Sequence, residues 1–357
     1  MARINVTQPF LPPLAEYEAY LRRVWESHYL TNQGPLLQEF EHQAAAYLGL
    51  PKLHLVANGT LALQVALRAL DITGGEIITT PFSFVATTSA ILWERCTPVF
   101  VDIEPDTFCI DAGKIEAAIT PNTQAILAVH VYGYPCAIDL IEEIARRHGL
   151  HVIYDAAHAF GAKYRGQSLL GFGDVSTCSF QATKVFHTVE GGAVIARDPA
   201  VNDRVELIKK FGFVGDDHLT LGINAKASEV HAAMGLCNLK YVGDIIARRR
   251  NIAQFYDQAL SGRLATPPSV PEHEPNYCYY PVVFETEAEL LAAKSRLEAQ
   301  DIYPRRYFYP SLNQIPYVGS SASCPVSERI ARTVLCLPIY DQLALADAKR
   351  IAQAVLA

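Results

Sequence analysis

Two runs decide the fold of this chain: HVIYDAAHAFGA at residues 151–162 and STCSFQATKVFHTVEGGA at residues 176–193. The first run begins with apolar residues that predict a buried strand ending on Asp155. Lys184 follows twenty-nine positions later, in a polar segment between a second strand-like run and the turn Glu190-Gly-Gly. Ligands of α/β proteins bind at the carboxyl ends of strands, so we expect both side chains to lie at a ligand site.

An aspartate at a strand end and a lysine in a loop have ordinary interpretations as well as a chemical one. Aspartate often caps a helix or forms a turn, and most loop lysines are simply solvated. As a pair, however, they meet the requirements of pyridoxal phosphate (PLP) chemistry. The amine bonds covalently to the cofactor, and the acid keeps the pyridine nitrogen protonated so that the ring accepts electrons. His158, Ser179 and the Gly-Gly pair, all nearby, favour the chemical interpretation.

Composition limits the class of protein. The chain has 357 residues, 50% hydrophobic and 19% charged, which suits a large core and two domains. A net charge of −7 argues against a nucleic-acid binder. We expect no membrane span and no signal peptide, because no apolar run is long enough. The eight cysteines lack CxxC spacing, which indicates reduced, mostly buried thiols of a cytoplasmic protein without a metal site.

Strand-like and helix-like runs alternate as far as Ala193. The predicted strands are residues 53–57, 76–80, 97–102, 125–131, 151–155 and 175–180. This alternation predicts an α/β fold with a mainly parallel sheet that is covered by helices on both faces. A long helical pattern then carries the chain into a smaller C-terminal part. We therefore expect a large domain at residues 1–245, including an N-terminal arm, and a small domain at residues 246–357.

Several helix ends have sequence signals of their own. Asp139 and Glu142 have the spacing of a capping box, and Gly149 is predicted to end that helix. Ser228 and Thr286 are further predicted N-caps. The charged run RRR at residues 248–250 predicts a solvated helix face.

The segment Asn58-Gly-Thr60 lies between a short buried strand and a helix. This geometry directs free backbone N–H groups toward an anion, and the helix dipole adds to the attraction. Gly59 permits close approach of the backbone, and the Thr60 hydroxyl adds a donor. Any helix can begin in this way, but beside Asp155 and Lys184 the segment is predicted to bind the cofactor phosphate.

The chain resembles the nucleotide-sugar aminotransferases of the DegT/StrS type, which are PLP-dependent enzymes of fold type I. The resemblance rests on DAAHAFG from Asp155, Ser179-Phe180 with Lys184 five positions after Ser179, and EGGA from Glu190. It extends over nearly the whole chain. The implied architecture is a mainly parallel sheet sandwiched by helices, with a smaller C-terminal α+β domain.

The resemblance also implies roles for individual residues. Lys184 and Asp155 would be catalytic, with PLP as the cofactor and pyridoxamine phosphate as its amino-carrying form. The cofactor-binding residues would be Gly59, Thr60, Phe84, Asp155, His158, Ser179, Lys184 and Asn224. Phe84 would stack on the cofactor ring, although a core phenylalanine is an alternative. Asn224 would reach the phosphate of the neighbouring subunit, which implies a homodimer with shared active sites.

The substrates follow from the same resemblance. The segment RRYFYP at residues 305–310 is similar to the branch that aminates C4 of a dTDP-4-keto-6-deoxyhexose with L-glutamate, releasing 2-oxoglutarate. The substrate-binding residues would be Thr31, Arg306, Tyr307 and Tyr309. The product would be dTDP-4-amino-4,6-dideoxyglucose, used for a surface polysaccharide such as an O-antigen or for a glycosylated small molecule. Gln181 departs from this branch, where we expect histidine.

Three alternatives stay open at this point. A 3-keto sugar aminotransferase of the same family has the same motifs. A cysteine desulfurase would need a reactive thiol on a mobile loop, and Cys324 lies in the serine-rich loop GSSASCP. A non-catalytic regulator with this fold would be expected to lose the lysine or the phosphate-binding segment, and both are present.

Overall fold

The computed structural model describes residues 3–357, in which strands and helices alternate along most of the chain. The helices are α1 (Leu14–Ser27), α2 (Pro35–Leu48), α3 (Gly59–Ala69), α4 (Ala86–Trp93), α5 (Ile138–His148), α6 (Pro199–Ile208), α7 (Glu229–Leu239), α8 (Val242–Leu260), α9 (Glu287–Glu298), α10 (Pro325–Thr333) and α11 (Leu345–Leu356). The strands are β1 (Ile4–Asn5), β2 (His54–Val56), β3 (Glu76–Thr79), β4 (Thr97–Phe100), β5 (Thr123–Val129), β6 (His151–Asp155), β7 (Lys163–Tyr164), β8 (Gln167–Ser168), β9 (Val175–Ser179), β10 (Gly192–Ala196), β11 (Phe213–Val214), β12 (Asp217–His218), β13 (His273–Glu274), β14 (Tyr280–Val283), β15 (Ile302–Tyr303) and β16 (Val334–Leu337).

A seven-stranded sheet forms the centre of the molecule, in the order β2-β10-β9-β6-β5-β3-β4. Only β10 runs antiparallel to its neighbours in this sheet. Its central strands are apolar and buried on both faces, as expected where helices cover a parallel sheet. The predicted α/β fold with a mainly parallel sheet is confirmed. The register pairs Asp155 with Val129 and with Thr177, so strands β5 and β6 end together and β9 continues for two more residues at the same edge of the sheet.

A second hydrophobic core lies in the C-terminal part of the chain. Helices α8, α9 and α11 pack there around the antiparallel pair β14 and β16. The N-terminal strand β1 joins this core, because it pairs in parallel with β15 and buries Ile4. The proposed domain boundary after residue 245 falls inside α8. Asp102, just beyond β4 of the large sheet, accepts hydrogen bonds from the backbone N–H groups of Val326 and Ser327 in α10 at 3.0 and 2.9 Å.

Two of the three predicted N-caps are present. The side chain of Ser228 accepts a hydrogen bond from the N–H of His231, and that of Thr286 from the N–H of Glu289. The capping box predicted at Asp139 is wrong. Helix α5 begins at Ile138 with Ala137 as its N-cap, two residues earlier than predicted, so the Asp139 carboxylate lies inside the first turn and pairs instead with Arg165 at 2.8 Å. Gly149 ends this helix in the left-handed conformation, as predicted.

The charged run in α8 is not a fully solvated face. Arg249 is only 2% exposed, and its guanidinium donates to the backbone carbonyls of Tyr277 and Cys278 at 3.2 and 3.3 Å. Arg248 and Arg250 are exposed. The prediction was wrong for the middle residue because consecutive helix positions point about 100° apart, so one of three adjacent arginines can face the core.

The remaining composition-based expectations concern thiols and membrane spans. All eight cysteines are buried and free of disulfide bonds. Within residues 3–357, none of the helices combines the length and the apolar character that crossing a bilayer requires.

A buried lysine connects the end of α6 to strand β2. Lys209 is 1% exposed, and its Nζ lies 3.0 Å from Glu41 Oε1 and 3.0 Å from Glu206 Oε2. Glu206 also lies 3.3 Å from His54 Nδ1. Burial alone would raise the pKa of Glu206, but His54 and Lys209 together lower it well below its ordinary value. Glu41 in turn accepts a hydrogen bond from the N–H of Leu55, so the network fixes β2.

Replacing Lys209 by methionine should destabilise the protein by about 3–5 kcal/mol, because two partly buried carboxylates would lose the cation between them. Urea unfolding followed by circular dichroism measures this change in the free energy of unfolding. Lys210→Met is the matched control, since Lys210 lies 3.4 Å from Glu206 but is 32% exposed. That variant should lose at most about 1 kcal/mol. Equal losses in the two variants would contradict the assigned role of Lys209.

Candidate active site

A cavity of about 410 Å³ opens where strands β5, β6 and β9 end. Asp155 is the last residue of β6 and Ser179 the last of β9, and the loop between β9 and β10 carries Lys184. The parallel arrangement brings these strand ends to one edge of the sheet. The predicted residues that line this cavity are Gly59, Thr60, Phe84, Asp155, His158, Ser179, Lys184 and Tyr307.

The Asp155 carboxylate is buried at the base of the cavity. Its Oδ2 accepts a hydrogen bond from Thr87 Oγ1 at 2.7 Å, and its Oδ1 accepts one from the N–H of Ala157 at 3.1 Å. Burial raises the pKa of Asp155, while both hydrogen bonds and the nearby Lys184 act in the opposite direction. A cationic group above this carboxylate would offset the cost of burying it.

Lys184 is presented by a tight turn. Its N–H donates to the carbonyl of Gln181 at 2.9 Å, and the N–H of Thr183 donates to the Gln181 side-chain oxygen at 2.9 Å. The loop closes behind it, since the N–H of Thr188 donates to the carbonyl of Phe180 at 2.9 Å. The Lys184 amine is half-buried and lies 5.9 Å from the centre of the Tyr279 ring. This geometry holds the amine inside the cavity that Asp155 borders.

The start of α3 forms a cradle with room for an oxyanion. Asn58 caps the helix by accepting a hydrogen bond from the N–H of Leu61 at 2.9 Å. A Cβ at Gly59 would lie 3.0 Å from Ser179 Cβ, so only glycine leaves the approach open. A Cβ at Gly192 would lie 2.6 Å from the Asn58 carbonyl carbon, so this glycine lets β10 pass beneath the turn. Free N–H groups, the helix dipole and two hydroxyls then converge, an arrangement that suits a phosphate.

His158 is a neutral imidazole with one defined tautomer. Its Nδ1 accepts a hydrogen bond from the N–H of Tyr132 at 3.1 Å, so the proton lies on Nε2. Burial, and then the charge of Lys184, lower the pKa of His158 well below its ordinary value. The ring stacks on Phe308 with 5.6 Å between centroids and 9° between planes. His158 therefore offers a flat face and one N–H donor to a ligand.

Phe84 is 57% exposed and lines the cavity, so it is not a core phenylalanine. Its ring is free to cover a ligand that lies above Asp155.

Four of the predicted site residues lie elsewhere. Thr31 and Asn224 are exposed and do not line the cavity of their own chain. Arg306 pairs with Glu287 at 2.6 Å and covers the Tyr309 ring at 3.6 Å. Both of these residues border a neighbouring cleft of about 820 Å³, which meets the cavity at Tyr307. The Arg306 guanidinium is already paired, which weakens its predicted role as a substrate ligand.

The structure adds three site residues that sequence reasoning did not assign. Thr87 hydrogen-bonds Asp155, and Tyr279 and Phe308 form one wall of the cavity. Thr87 had a usable signal, because it is a polar residue only three positions after Phe84, at the start of the helix that follows β3. Phe308 lies in the RRYFYP segment that the resemblance associates with the substrate, but Tyr279 had no such signal. Both residues pack in the core of the large sheet although they come from distant segments.

Comparisons with known proteins identify the family of this chain. The model of the DegT/DnrJ/EryC1/StrS aminotransferase family matches residues 14–356. The dTDP-4-amino-4,6-dideoxy-D-glucose transaminase of Escherichia coli is 42% identical over 95% of this chain and 94% of its own length. The dTDP-3-amino-3,4,6-trideoxy-alpha-D-glucose transaminase of Streptomyces venezuelae is 35% identical over 96% of this chain and 91% of its own.

A solved structure agrees with these sequence similarities. The crystal structure of DesI in the presence of its TDP-sugar product superimposes with a TM-score of 0.93 at 34% identity. The superposition covers 99% of this chain and 92% of that one. The predicted fold type is thereby confirmed. With a family model that spans almost every described residue, the chain belongs to the DegT/DnrJ/EryC1/StrS aminotransferase family.

Proposed function

We propose that this protein transfers the amino group of L-glutamate to C4 of dTDP-4-keto-6-deoxy-D-glucose, giving dTDP-4-amino-4,6-dideoxy-D-glucose and 2-oxoglutarate. The observation that carries the proposal is the cavity in which a buried acid, an amine and an oxyanion cradle converge. The 42% identity to a transaminase named for this product supports the choice of sugar. A surface polysaccharide such as an O-antigen is the destination we propose for the product.

The residues of the cavity fit PLP as the cofactor. The Gly59 and Ser179 cradle, with Thr60, would hold its phosphate, and Asp155 would pair with its protonated ring nitrogen. Phe84 and His158 would cover the ring. When bound, PLP supplies an electron sink that stabilises negative charge on the carbon bearing the amino group. The protonated ring nitrogen would give the buried Asp155 carboxylate a positive neighbour in addition to Lys184.

Lys184 is the residue that we assign to proton transfer. Its Nζ removes the proton from Cα of L-glutamate, and in the second half of the reaction it delivers a proton to C4 of the sugar. Both substrates therefore have to place their reacting carbon within reach of one amine. The turn that ends on Lys184 fixes this position, and the aromatic wall of Tyr279, Tyr307 and Phe308 limits the access of water.

A 3-keto sugar is the second candidate substrate, because the Streptomyces venezuelae relative is named for a 3-amino product. Desulfuration has little support. Cys324 is 1% exposed, burial raises its pKa to about 12, and it does not line the cavity. A non-catalytic role is equally weakly supported, because the acid, the amine and the cradle are all retained.

Incubation with a panel of dTDP- and UDP-linked 3-keto and 4-keto sugars and ¹⁵N-labelled L-glutamate tests the proposed reaction. We expect the label at C4 of a dTDP-6-deoxyhexose, detected by NMR of the purified product. Label at C3 would favour the second candidate. Failure to aminate any keto sugar, although 2-oxoglutarate forms from glutamate, would refute sugar amination.

Replacing Asp155 by asparagine should lower turnover by at least about tenfold, because pairing of a carboxylate with a cation typically shifts a pKa by one to three units. The amide preserves the size of the side chain and can still accept from Thr87. Stopped-flow spectroscopy of the glutamate half-reaction measures the loss. Asp174→Asn is the control, since Asp174 precedes β9 at the opposite end of the sheet and is half-exposed. Turnover near the wild-type value in Asp155→Asn would mean that another group charges the ring.

We further propose a homodimer in which Asn224 and Thr31 complete the site of the partner subunit. Both residues are exposed and outside their own cavity. Next to Asn224 lies an exposed apolar group of residues, which a monomer would leave in water: Phe211, Phe213, Val214, Leu219 and Leu221. A shared site requires two equivalent sites across one interface, because the two subunits are identical.

Complementation between two inactive variants should test the shared site. In a heterodimer of Asn224→Ala and Lys184→Ala subunits, one site carries both changes and the other carries neither. Random exchange of subunits should then restore activity to about one quarter of the wild-type value. Native mass spectrometry confirms that exchange has occurred. Activity that stays at the level of the separate variants after exchange would show that each site lies within one chain.

A further inference from the structure

Gln181 occupies the first position of the turn that presents Lys184. Its backbone carbonyl accepts from the N–H of Lys184 at 2.9 Å. Its side-chain Oε1 accepts from the N–H of Thr183 at 2.9 Å and from Thr183 Oγ1 at 2.5 Å. The side chain thus folds back over the turn, and it also lines the cavity beside Lys184.

These contacts fix the orientation of the Gln181 amide. A backbone N–H can only donate, so the amide atom that faces Thr183 has to be the oxygen. The amide nitrogen, Nε2, is therefore on the other side of the group. Among residues 3–357, Nε2 has no hydrogen-bond partner, yet it is not one of the side-chain atoms sealed from solvent. The turn therefore sets the direction of the Nε2 donor, and its N–H groups are free to bind a ligand.

Three hydroxyl side chains in or beside the cavity are already engaged within the protein, whereas Thr60, Ser179 and His158 face the space proposed for PLP. Ser83 and Thr87 hydrogen-bond each other at 2.7 Å, Thr87 also contacts Asp155, and Thr183 contacts Gln181. Lys184 is the only cationic side chain that lines the cavity among the described residues. Gln181 is thus a neutral donor available to a substrate.

The character of the cavity favours a sugar oxygen over a carboxylate as the acceptor. The carboxylate of Glu190 lines the same cavity and would repel an anion, while it would tolerate or bind a hydroxyl group. A neutral amide donor attracts charged groups only weakly. It discriminates between sugars more effectively, because a sugar without the matching oxygen leaves the donor unpaired in a closed site, which is costly.

We propose that Gln181 is a specificity-determining residue whose Nε2 donates a hydrogen bond to an oxygen substituent of the keto sugar. The same side chain holds the turn of Lys184 through Oε1, so it links placement of the reacting amine to recognition of the sugar. The inference rests on the proposed function, because it assumes that a keto sugar is the amino acceptor.

The test uses Gln181→Met and Gln181→Glu in the PLP-loaded protein. Methionine keeps the length of the side chain but neither donates nor accepts as the amide does, and glutamate keeps an oxygen toward Thr183 while removing the N–H donors. In both variants kcat/KM for the keto sugar should fall about tenfold, the usual effect of losing one hydrogen bond of about 1.4 kcal/mol. In Gln181→Met the backbone carbonyl of residue 181 still accepts from the N–H of Lys184, so loss of the Oε1 contacts should slow the half-reaction with L-glutamate by at most about threefold, less than the half-reaction with the keto sugar.

Sugar analogues that lack one hydroxyl group distinguish recognition of the sugar by Gln181 from a purely structural role of Gln181 in the turn. Removing the hydroxyl that Gln181 binds should lower kcat/KM in the wild-type protein but not further in Gln181→Met. Borohydride labelling of Lys184 in each variant verifies that the turn still presents the amine.

Each other outcome overturns the inference. Equal losses in both half-reactions would assign Gln181 to the turn alone. A loss confined to the glutamate half-reaction in Gln181→Met would assign the donor to a carboxylate. Unchanged kinetics, or additive effects with every analogue, would show that Nε2 binds no substrate group. Failure of the wild-type protein to aminate any keto sugar would instead refute the proposed function, independently of the variants.

Discussion

The burial of the Asp155 carboxylate is the constraint on which the rest of the site depends. A charged group at the base of a cavity is costly unless something positive lies above it. Thr87 and the N–H of Ala157 offset part of this cost. The remaining cost requires a positive charge above the carboxylate. The sheet places an oxyanion cradle and the Lys184 amine around the same space. Acid, cradle and amine together specify a ligand that is cationic in its ring, anionic at one end and reactive toward amines.

Much of this site could be predicted from sequence because its main residues lie at the ends of strands. A buried strand, a turn and a helix each have a local sequence pattern. These patterns predict Asp155, Ser179 and the start of α3 together with the elements that carry them. Local patterns gave the wrong result where packing decides. Arg249 faces the core although its two neighbours are solvated, and Asp139 pairs with Arg165 because its helix starts two residues earlier than predicted.

Other parts of the site depend on segments that are remote in the chain. Tyr279 and Phe308 reach the cavity because their segments pack into the core of the large sheet, and no periodicity in their own sequence predicts this. For Asn224 and Thr31, prediction from the sequence is incomplete for a different reason. The family resemblance gives them roles, but a single chain leaves both exposed, so the proposed roles require a second copy that sequence patterns do not describe.

The pairing of β1 with β15 has a consequence for the order of events during synthesis. Ile4 belongs to the C-terminal core, but its partner Ile302 is translated almost three hundred residues later. At about 5–20 residues per second, the first strand waits roughly 15–60 s on the ribosome before its partner exists. The large sheet can form during this interval, whereas the second core cannot close. The core that assembles last therefore includes a strand that is translated early.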